Sequence, residues 1–417
     1  MILAELIDEY ISGDWGNEEI SNETPNAVFC IRAADFVPIL SVDYTNIPTR
    51  YISDASFENK LLKVGDIVIE KSGGSPTQST GRVIIITEEL LKEKQHIVCS
   101  NFCEAFRVKE NWNPFYVFSY LQFLYNEGVF FNFEGKTSGL KNLQMEQAFN
   151  SIDIPEQKSD ISVLASIDEK IALNRKINIE LEALAKQIYD YWFVQFDFPN
   201  EDGKPYKSSG GKMVWNETLK REIPDGWEVS SYGKEFTVKL GGTPSTEISE
   251  YWKNGSYHWM NSGEVQLFPV TETEKTITQE AIDNSTTALL PTKSVLISIT
   301  RHLRVTILGI DACINQSVVG FSESDKLKCL YTYYALKMEV PRLMNLRTGA
   351  QQPHINKETV EDCPIILPDD KVLEKYYLLT ENVFDNILNI GKEILNLEKL
   401  RSYLLPLLMN GQITIKD

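Results

Sequence analysis

Two long stretches of this chain carry side chains that step alternately by three and four along the sequence. In the first, Leu164, Ile167, Ile171, Asn174, Asn178, Leu181, Ala185, Ile188 and Trp192 keep the spacing. In the second, Tyr376, Thr380, Val383, Ile387, Ile390, Ile394, Leu397, Arg401, Leu404 and Leu408 keep it again. An apolar period near 3.5 lays a seam along one side of an α-helix and predicts a left-handed supercoil with a partner. At about 1.5 Å per residue, each helix is expected to run on the order of 40–50 Å. A single stripe would fit an ordinary core helix. Two matched stripes at corresponding places predict a paired helical spacer, in which Asn174 and Asn178 add little stability but fix register.

The segments ahead of the two helices echo one another. Gly65-Asp66-Ile67-Val68-Ile69-Glu70-Lys71-Ser72-Gly73-Gly74 and then Gly81-Arg82-Val83-Ile84-Ile85-Ile86 read as a β-branched strand, a polar turn and a second strand. Lys293 to Arg301, followed by Arg304-Val305-Thr306-Ile307-Leu308-Gly309, repeats that order. Each pair precedes an aromatic-rich helical stretch, Asn113 to Tyr125 and Tyr331 to Met338. Thr137-Ser138-Gly139-Leu140-Lys141-Asn142-Leu143 then takes the place of Thr348-Gly349-Ala350-Gln351-Gln352-Pro353-His354-Ile355. Both lead to a short apolar strand ending at a proline, Pro155 or Pro368. The chain is therefore expected to be α+β, with a β-rich globular unit and a long helix occurring twice. Residues 196–222, rich in Gly, Lys, Ser and Pro, read as a linker.

Three features suggest enzyme chemistry and do not support it. Gly135-Lys136-Thr137 resembles the end of a phosphate-cradling loop, but six residues separate Gly128 from Gly135, three of them Phe, where such a loop needs four. The second copy has no Gly-Lys-Thr. Asn113-Pro114-Phe115-Tyr116 is close to an amino-methyltransferase motif, but Phe stands in place of a second Pro, and a helix start with Pro in its first turn explains it better. The four histidines, His96, His258, His302 and His354, lie near no Ser or Cys nucleophile motif. The six scattered cysteines read as buried, reduced thiols rather than metal ligands.

The net charge of −18 disfavours nucleic acid at face value, yet the segment 201–355 is close to charge balance and leaves room for a basic face. No run of about 18 apolar residues could span a bilayer, and acids stand in the first ten residues where a signal peptide carries Lys or Arg. A cytoplasmic protein without membrane contact is the expectation.

Several passages, taken in order, resemble the specificity subunit of type I restriction–modification systems. They are Ile154-Pro155-Glu156-Gln157-Lys158 running into Leu184-Ala185-Lys186-Gln187-Ile188-Tyr189-Asp190-Tyr191-Trp192-Phe193, then Ile223-Pro224-Asp225-Gly226-Trp227. The loop Gly241-Gly242-Thr243-Pro244-Ser245 with Tyr251-Trp252 follows, and then the tail Leu404-Leu405-Pro406-Leu407-Leu408-Met409-Asn410-Gly411. The resemblance covers essentially the whole chain. It implies target-recognition domains at 1–154 and 223–367, spacer helices at 155–195 and 368–417, and the linker between. It implies an antiparallel two-helix coiled coil that relates the recognition domains by a pseudo-twofold axis. Each domain would read half of a bipartite double-stranded DNA target, asymmetric because the domains differ.

By the same resemblance the chain is non-catalytic and binds no cofactor. It would dock methyltransferase subunits, which carry S-adenosylmethionine, and through them restriction subunits. Two other readings stay open from the residues alone: a coiled-coil scaffold without DNA specificity, and a single-chain DNA methyltransferase. In the first domain Gly13-Asp14-Trp15-Gly16-Asn17 stands where the second has Gly-Gly-Thr-Pro-Ser, so contacts carry over less directly.

Candidate DNA contacts follow from residue type. Arg301, His302 and Arg304 lie in the strand-to-strand turn of the second copy, where Arg can fork onto guanine O6 and N7 or grip phosphate. The equivalent turn of the first copy offers Lys71, Ser72, Gln78 and Arg82. In the later loops, Lys136, Thr137, Ser138 and Lys141 match Gln351, Gln352, His354 and Asn356, with Gln and Asn suited to adenine edges. Gly242, Thr243 and Ser245 complete the set, while Trp252 and Trp259 are expected in the core.

Overall fold

The computed structural model describes residues 1–74, 78–137, 140–157, 160–349 and 351–413. The chain divides into two compact units, Met1–Lys176 with Asn396–Asp417, and Ile177–Leu395. Helices and strands are mixed in both, as an α+β chain requires.

In the first unit a four-stranded antiparallel sheet runs in the order Ile7–Ser12, Cys103–Val108, Ile67–Glu70, Val83–Ile85. The strand Ile67–Glu70 is buried along its whole length. Its side chains alternate between two cores, Ile67 and Ile69 on one face and Val68 on the other. A strand covered on both faces is apolar at successive positions, which is why this one reads as an unbroken Ile-Val-Ile run. A second sheet has the order Thr49–Ile52, Asn26–Ile31, Ile97–Cys99, the last two strands parallel.

The second unit repeats this plan. Its four-stranded sheet runs Lys239–Leu240, Val318–Phe321, Val295–Ser298, Val305–Ile307, the same strand order. Val295 and Ile297 face one core and Leu296 the other. The companion sheet runs Lys275–Ile277, Tyr257–Met260, Ala312–Ile314, Ala288–Leu290, with its two central strands parallel as the last two of the first unit's sheet are. The echo between the two halves of the sequence is thus an echo of topology.

Each sheet is followed by an aromatic helix. Helix Pro114–Asn126 starts as its sequence predicts, with Pro114 in the first turn and the Asn113 Oδ1 accepting from Phe115 N at 2.9 Å and Tyr116 N at 3.4 Å. Its counterpart is Cys329–Asn345, which buries Leu330, Tyr331, Tyr333 and Tyr334.

The two long helices are Ser162–Tyr189, continued by a π turn over Asp190–Val194, and Asp370–Met409. The second, 40 residues, is about 60 Å long, more than expected, because it begins at Asp370, well before the first seam residue. Asp160 starts the first helix, accepting from Ser162 N at 2.8 Å and Ser162 Oγ at 2.7 Å. Those two bonds hold the Asp160 carboxyl below its ordinary range. Every seam position is buried or half-buried. Ile161 and Leu164 join Leu405, Leu408 and Met409 in a core of the first unit, whereas Ala185 and Tyr189 join Leu373, Tyr376, Phe384 and Leu388 in a core of the second.

The stretch 196–222, expected as a linker, is packed into the second unit. Phe196 and Phe198 are buried, and Phe198 stacks on Tyr206 and on Trp227 with ring centroids 4.7 and 4.9 Å apart. Its Gly- and Ser-rich part leads into the hairpin Met213–Asn216 and Arg221–Pro224. No helix among the described residues is long and apolar enough to cross a membrane.

Candidate nucleic-acid interface

In each unit the fold gathers loops that are far apart in sequence at one end of the central strand. In the first unit the chain leaves strand Ile67–Glu70 at Lys71, and the Lys71 and Ser72 amides donate to Phe102 O at 2.8 and 3.1 Å. Ser72 and Gly73 then pair with Asn142 and Lys141 of strand Leu140–Leu143, whose other neighbour is strand Glu134–Thr137. Asp14 N donates to Cys99 O at 2.7 Å and brings the 13–17 loop to the same place. Gly135-Lys136-Thr137 is therefore part of a strand and cradles no phosphate with a helix start.

The second unit uses the same contacts. Ile299 N donates to Ser317 O at 2.9 Å, Thr300 bridges His354, and Arg301 N donates to Pro353 O at 2.8 Å. Gly242 N donates to Ile314 O at 2.9 Å, the bond that Asp14 makes to Cys99. Only glycine fits there, since a Cβ on Gly242 would lie 2.1 Å from Thr286 Oγ1. Thr243 Oγ1 bonds Gln316 Oε1, and Ser245 O accepts from Trp252 Nε1 at 3.0 Å. Trp259, 6% exposed, packs edge-on against Trp252 as a core residue.

The two loop clusters differ in charge. Glu70 N donates to Arg82 O and Ser298 N to Arg304 O, each at 2.9 Å, so the residue pairs Glu70/Arg82 and Ser298/Arg304 are structurally equivalent. Arg82 forks onto Glu70 at 2.8 and 2.9 Å, and Glu70 is only 1% exposed. Lys71 faces Glu104 at 3.5 Å, Lys141 faces Glu134 at 3.0 Å, and Lys60 faces Asp14 at 3.6 Å. Burial pushes the Asp14 carboxyl up, but bonds from Ser56 Oγ and the Gly16 amide, with Lys60 alongside, outweigh it and hold it below its usual range. These cations are neutralised within the first unit.

In the second unit the counterpart of Glu70 is a serine. Ser298 Oγ donates to His302 O at 2.8 Å and accepts the Arg304 amide at 2.9 Å, while among the described residues the Arg304 guanidinium reaches only Gln266 Oε1, at 2.8 Å. Arg347 donates to Met344 O at 2.9 Å and to Arg301 O. Arg301 and His302 are exposed, and their side chains make no hydrogen bond or ion pair among the described residues. Arg301, Arg304 and Arg347 thus present three guanidinium groups with no carboxylate partner among the described residues, a local positive field of the kind phosphate and base edges attract. Arg301 also sits at φ +54°, a left-handed backbone that costs a non-glycine residue roughly 1–2 kcal/mol.

The remaining candidates have mixed placements. Gln351, Gln352 and His354 are exposed, with His354 Nδ1 3.1 Å from Gln352 O. Asn356 caps helix Lys357–Glu361 by accepting from Thr359 N at 2.8 Å, which occupies its carbonyl oxygen. Gln78 O accepts from Lys141 Nζ at 3.4 Å. Ser138 lies outside the described residues, and Lys136 and Thr137 are described by their backbone alone. Reasoning from sequence missed Arg347, although it directly precedes the Thr348 loop, and Phe102, 56% exposed beside Lys71.

All six cysteines are buried and unpaired. Burial pushes the thiols of Cys30, Cys103 and Cys363 up to about 12, which makes them poor nucleophiles.

A model of the type I restriction modification DNA specificity domain matches residues 18–183 and again residues 224–399. The specificity subunit of the type I restriction enzyme MjaIX from Methanocaldococcus jannaschii is 26% identical over 268 residues, which cover 63% of this chain and 60% of that protein. The specificity subunit of the type I restriction enzyme HindI from Haemophilus influenzae is 22% identical over 317 residues, 63% of this chain and 69% of that one. Among solved structures, the S subunit of a type I system from M. genitalium has a similar fold, with a TM-score of 0.55 over 98% of this chain and 95% of that one at 12% identity. The chain thus spans about six-tenths of the length of the first of these relatives.

Proposed function

The chain belongs to the type I restriction modification DNA specificity domain family, and from that premise we propose that it is the non-catalytic specificity subunit of a type I restriction–modification complex. One observation carries the reading. Two units with one strand order gather their exposed loops at the same end of the same strand. In this reading each loop cluster enters the major groove of double-stranded DNA and reads one half of a bipartite target. Because the clusters differ in residues and charge, the target is asymmetric.

The long helices serve as an antiparallel coiled-coil spacer that fixes the separation of the half-sites, as dimer geometry does in other DNA-binding proteins. Within the first unit, Arg401 meets Asp168 and Arg175 meets Glu398. Within the second, Asn178 donates to Ile387 O at 3.3 Å. Rising numbers on one helix meet falling numbers on the other, which supports the antiparallel arrangement. The acidic remainder of the surface suits protein partners. Methyltransferase subunits dock there and carry S-adenosylmethionine, and restriction subunits join through them.

The test is adenine-methylation mapping in cells that express the cognate methyltransferase subunit with and without this chain. A gapped, asymmetric motif that appears only when the chain is present is the expected result. A methylation pattern that is the same in both cultures, with the partner folded and its cofactor present, would overturn the proposal in favour of a protein-only scaffold.

A further inference from the structure

We propose that Arg301 is the base-reading side chain of the second unit, directed at a guanine edge, and that Arg347 is the residue that positions it. The inference rests on the specificity-subunit reading and goes one step inside it.

Seven non-glycine residues among those described have positive φ, and three of them are Lys or Arg: Lys220, Lys293 and Arg301. Lys220 is paired with Glu217 at 2.8 Å and Lys293 with Asp385 at 3.0 Å. Arg301 alone of the three holds the strained backbone while its side chain has no partner among the described residues. Its counterpart in the first unit is Gly73, since Gly73 pairs with Lys141 where Arg301 N bonds Pro353 O. A side chain has thus been placed where the fold is otherwise served by a glycine. Unrelieved strain of this kind concentrates where a side chain must be aimed.

The aim is fixed from two sides. Pro353 O holds the Arg301 amide, and Arg347 holds the Arg301 carbonyl while anchoring its own Nε on Met344 O, near the end of helix Cys329–Asn345. The carbonyl is held by a donor and not through a carboxylate, so this anchor brings no anion to compete for the Arg301 guanidinium. A phosphate contact would need none of this, because a charge on a flexible loop suffices. Reading a base demands orientation, and the planar fork of Arg matches O6 and N7 of guanine in the major groove. Arg304, tied to Gln266 and three residues further on, is placed for the flanking phosphate.

The test uses the full chain with its methyltransferase subunits and compares methylation motifs of the wild type with R301A, R301K, R347A and R347K. R301A is expected to relax one guanine position in one half of the motif, by on the order of tenfold to a hundredfold in discrimination, and to leave the other half intact. R301K is expected to relax the same position, since an ammonium cannot fork. R347A is expected to relax that position too, with R347K partly restoring it by keeping a donor to the Arg301 carbonyl.

Competition with single-mismatch oligonucleotides on the purified complex repeats the measurement without relying on cellular levels. An R301A motif identical to wild type, with affinity reduced equally for all sequences, makes Arg301 a phosphate contact and overturns the proposal. Relaxation spread over the whole half-site in R347A makes Arg347 a structural residue and overturns its part. A wild-type complex with no gapped motif overturns the specificity reading itself, an outcome distinguishable from both.

Discussion

Arg82 and Arg304 occupy the same place in the two units, and a single strand residue separates their fates. Glu70, buried beneath Arg82, accepts both prongs of its guanidinium, whereas Ser298 in the second unit leaves Arg304 to a neutral glutamine. One unit therefore builds an internal ion pair where the other exposes a cation.

Removing the acid should expose that difference as stability. In Glu70→Ala the partly buried Arg82 loses its counter-ion, a change that costs about 3–5 kcal/mol when a pair is fully enclosed. Arg82 is 21% exposed, so the loss is expected at or below the low end of that range. Denaturant titration of the variant would check it; an unchanged midpoint would mean that water replaces Glu70 without penalty.

Arg304→Ala should act on binding instead. If Arg304 grips a phosphate, affinity of the assembled complex falls for all sequences alike, and the slope of log affinity against log salt shrinks by about one. Fluorescence anisotropy across a salt series gives both quantities. A sequence-dependent loss would place Arg304 on a base.

Tyr376 offers a stabilising change. Its ring is fully buried among Trp192, Phe193 and Tyr331, and its hydroxyl has no hydrogen-bond partner among the described residues. An unmatched buried polar atom is costly, so Tyr376→Phe should raise stability by about 1 kcal/mol. A thermal melt that drops instead would reveal a hydrogen bond to the hydroxyl.

The 196–222 segment should loosen in acid. Ser208 donates from Oγ at 2.5 Å and from its amide at 2.7 Å to Asp197, holding that carboxyl below its ordinary 3.8. A folded-state value below the unfolded one stabilises the fold fully above about pH 4, and the contribution is lost as pH falls through the folded value. In Asp197→Ala this part of the acid decline should vanish. Hydrogen exchange of residues 206–211 between pH 5 and pH 2.5 would follow it, and identical profiles for the two proteins would refute the link.

Much of the fold was legible in the sequence because burial writes itself as pattern. Ile67-Val68-Ile69 and Val295-Leu296-Ile297 feed cores on both faces, so both copies of the strand stand out as unbroken apolar runs. The seams of the long helices stand out for a similar reason. Charge was less legible. Arg82 and Arg304 look alike in their turns, and what distinguishes them lies at Glu70 and Ser298, on the preceding strands, where only the register reveals it. The 196–222 segment misled because Gly, Ser and Lys outnumber Phe196 and Phe198, the residues that fasten it.

The division of the chain also sets which unit depends on distant segments. The second unit is one continuous stretch, Ile177–Leu395, and needs no residue from either side of it. The first unit is interrupted, for Leu405, Leu408 and Met409 belong to a core whose other members begin at Leu3. The second unit thus lies between the two segments of the first. A chain cut after Leu395 therefore keeps every residue of the second unit but leaves the first unit's core open where Leu405, Leu408 and Met409 would close it.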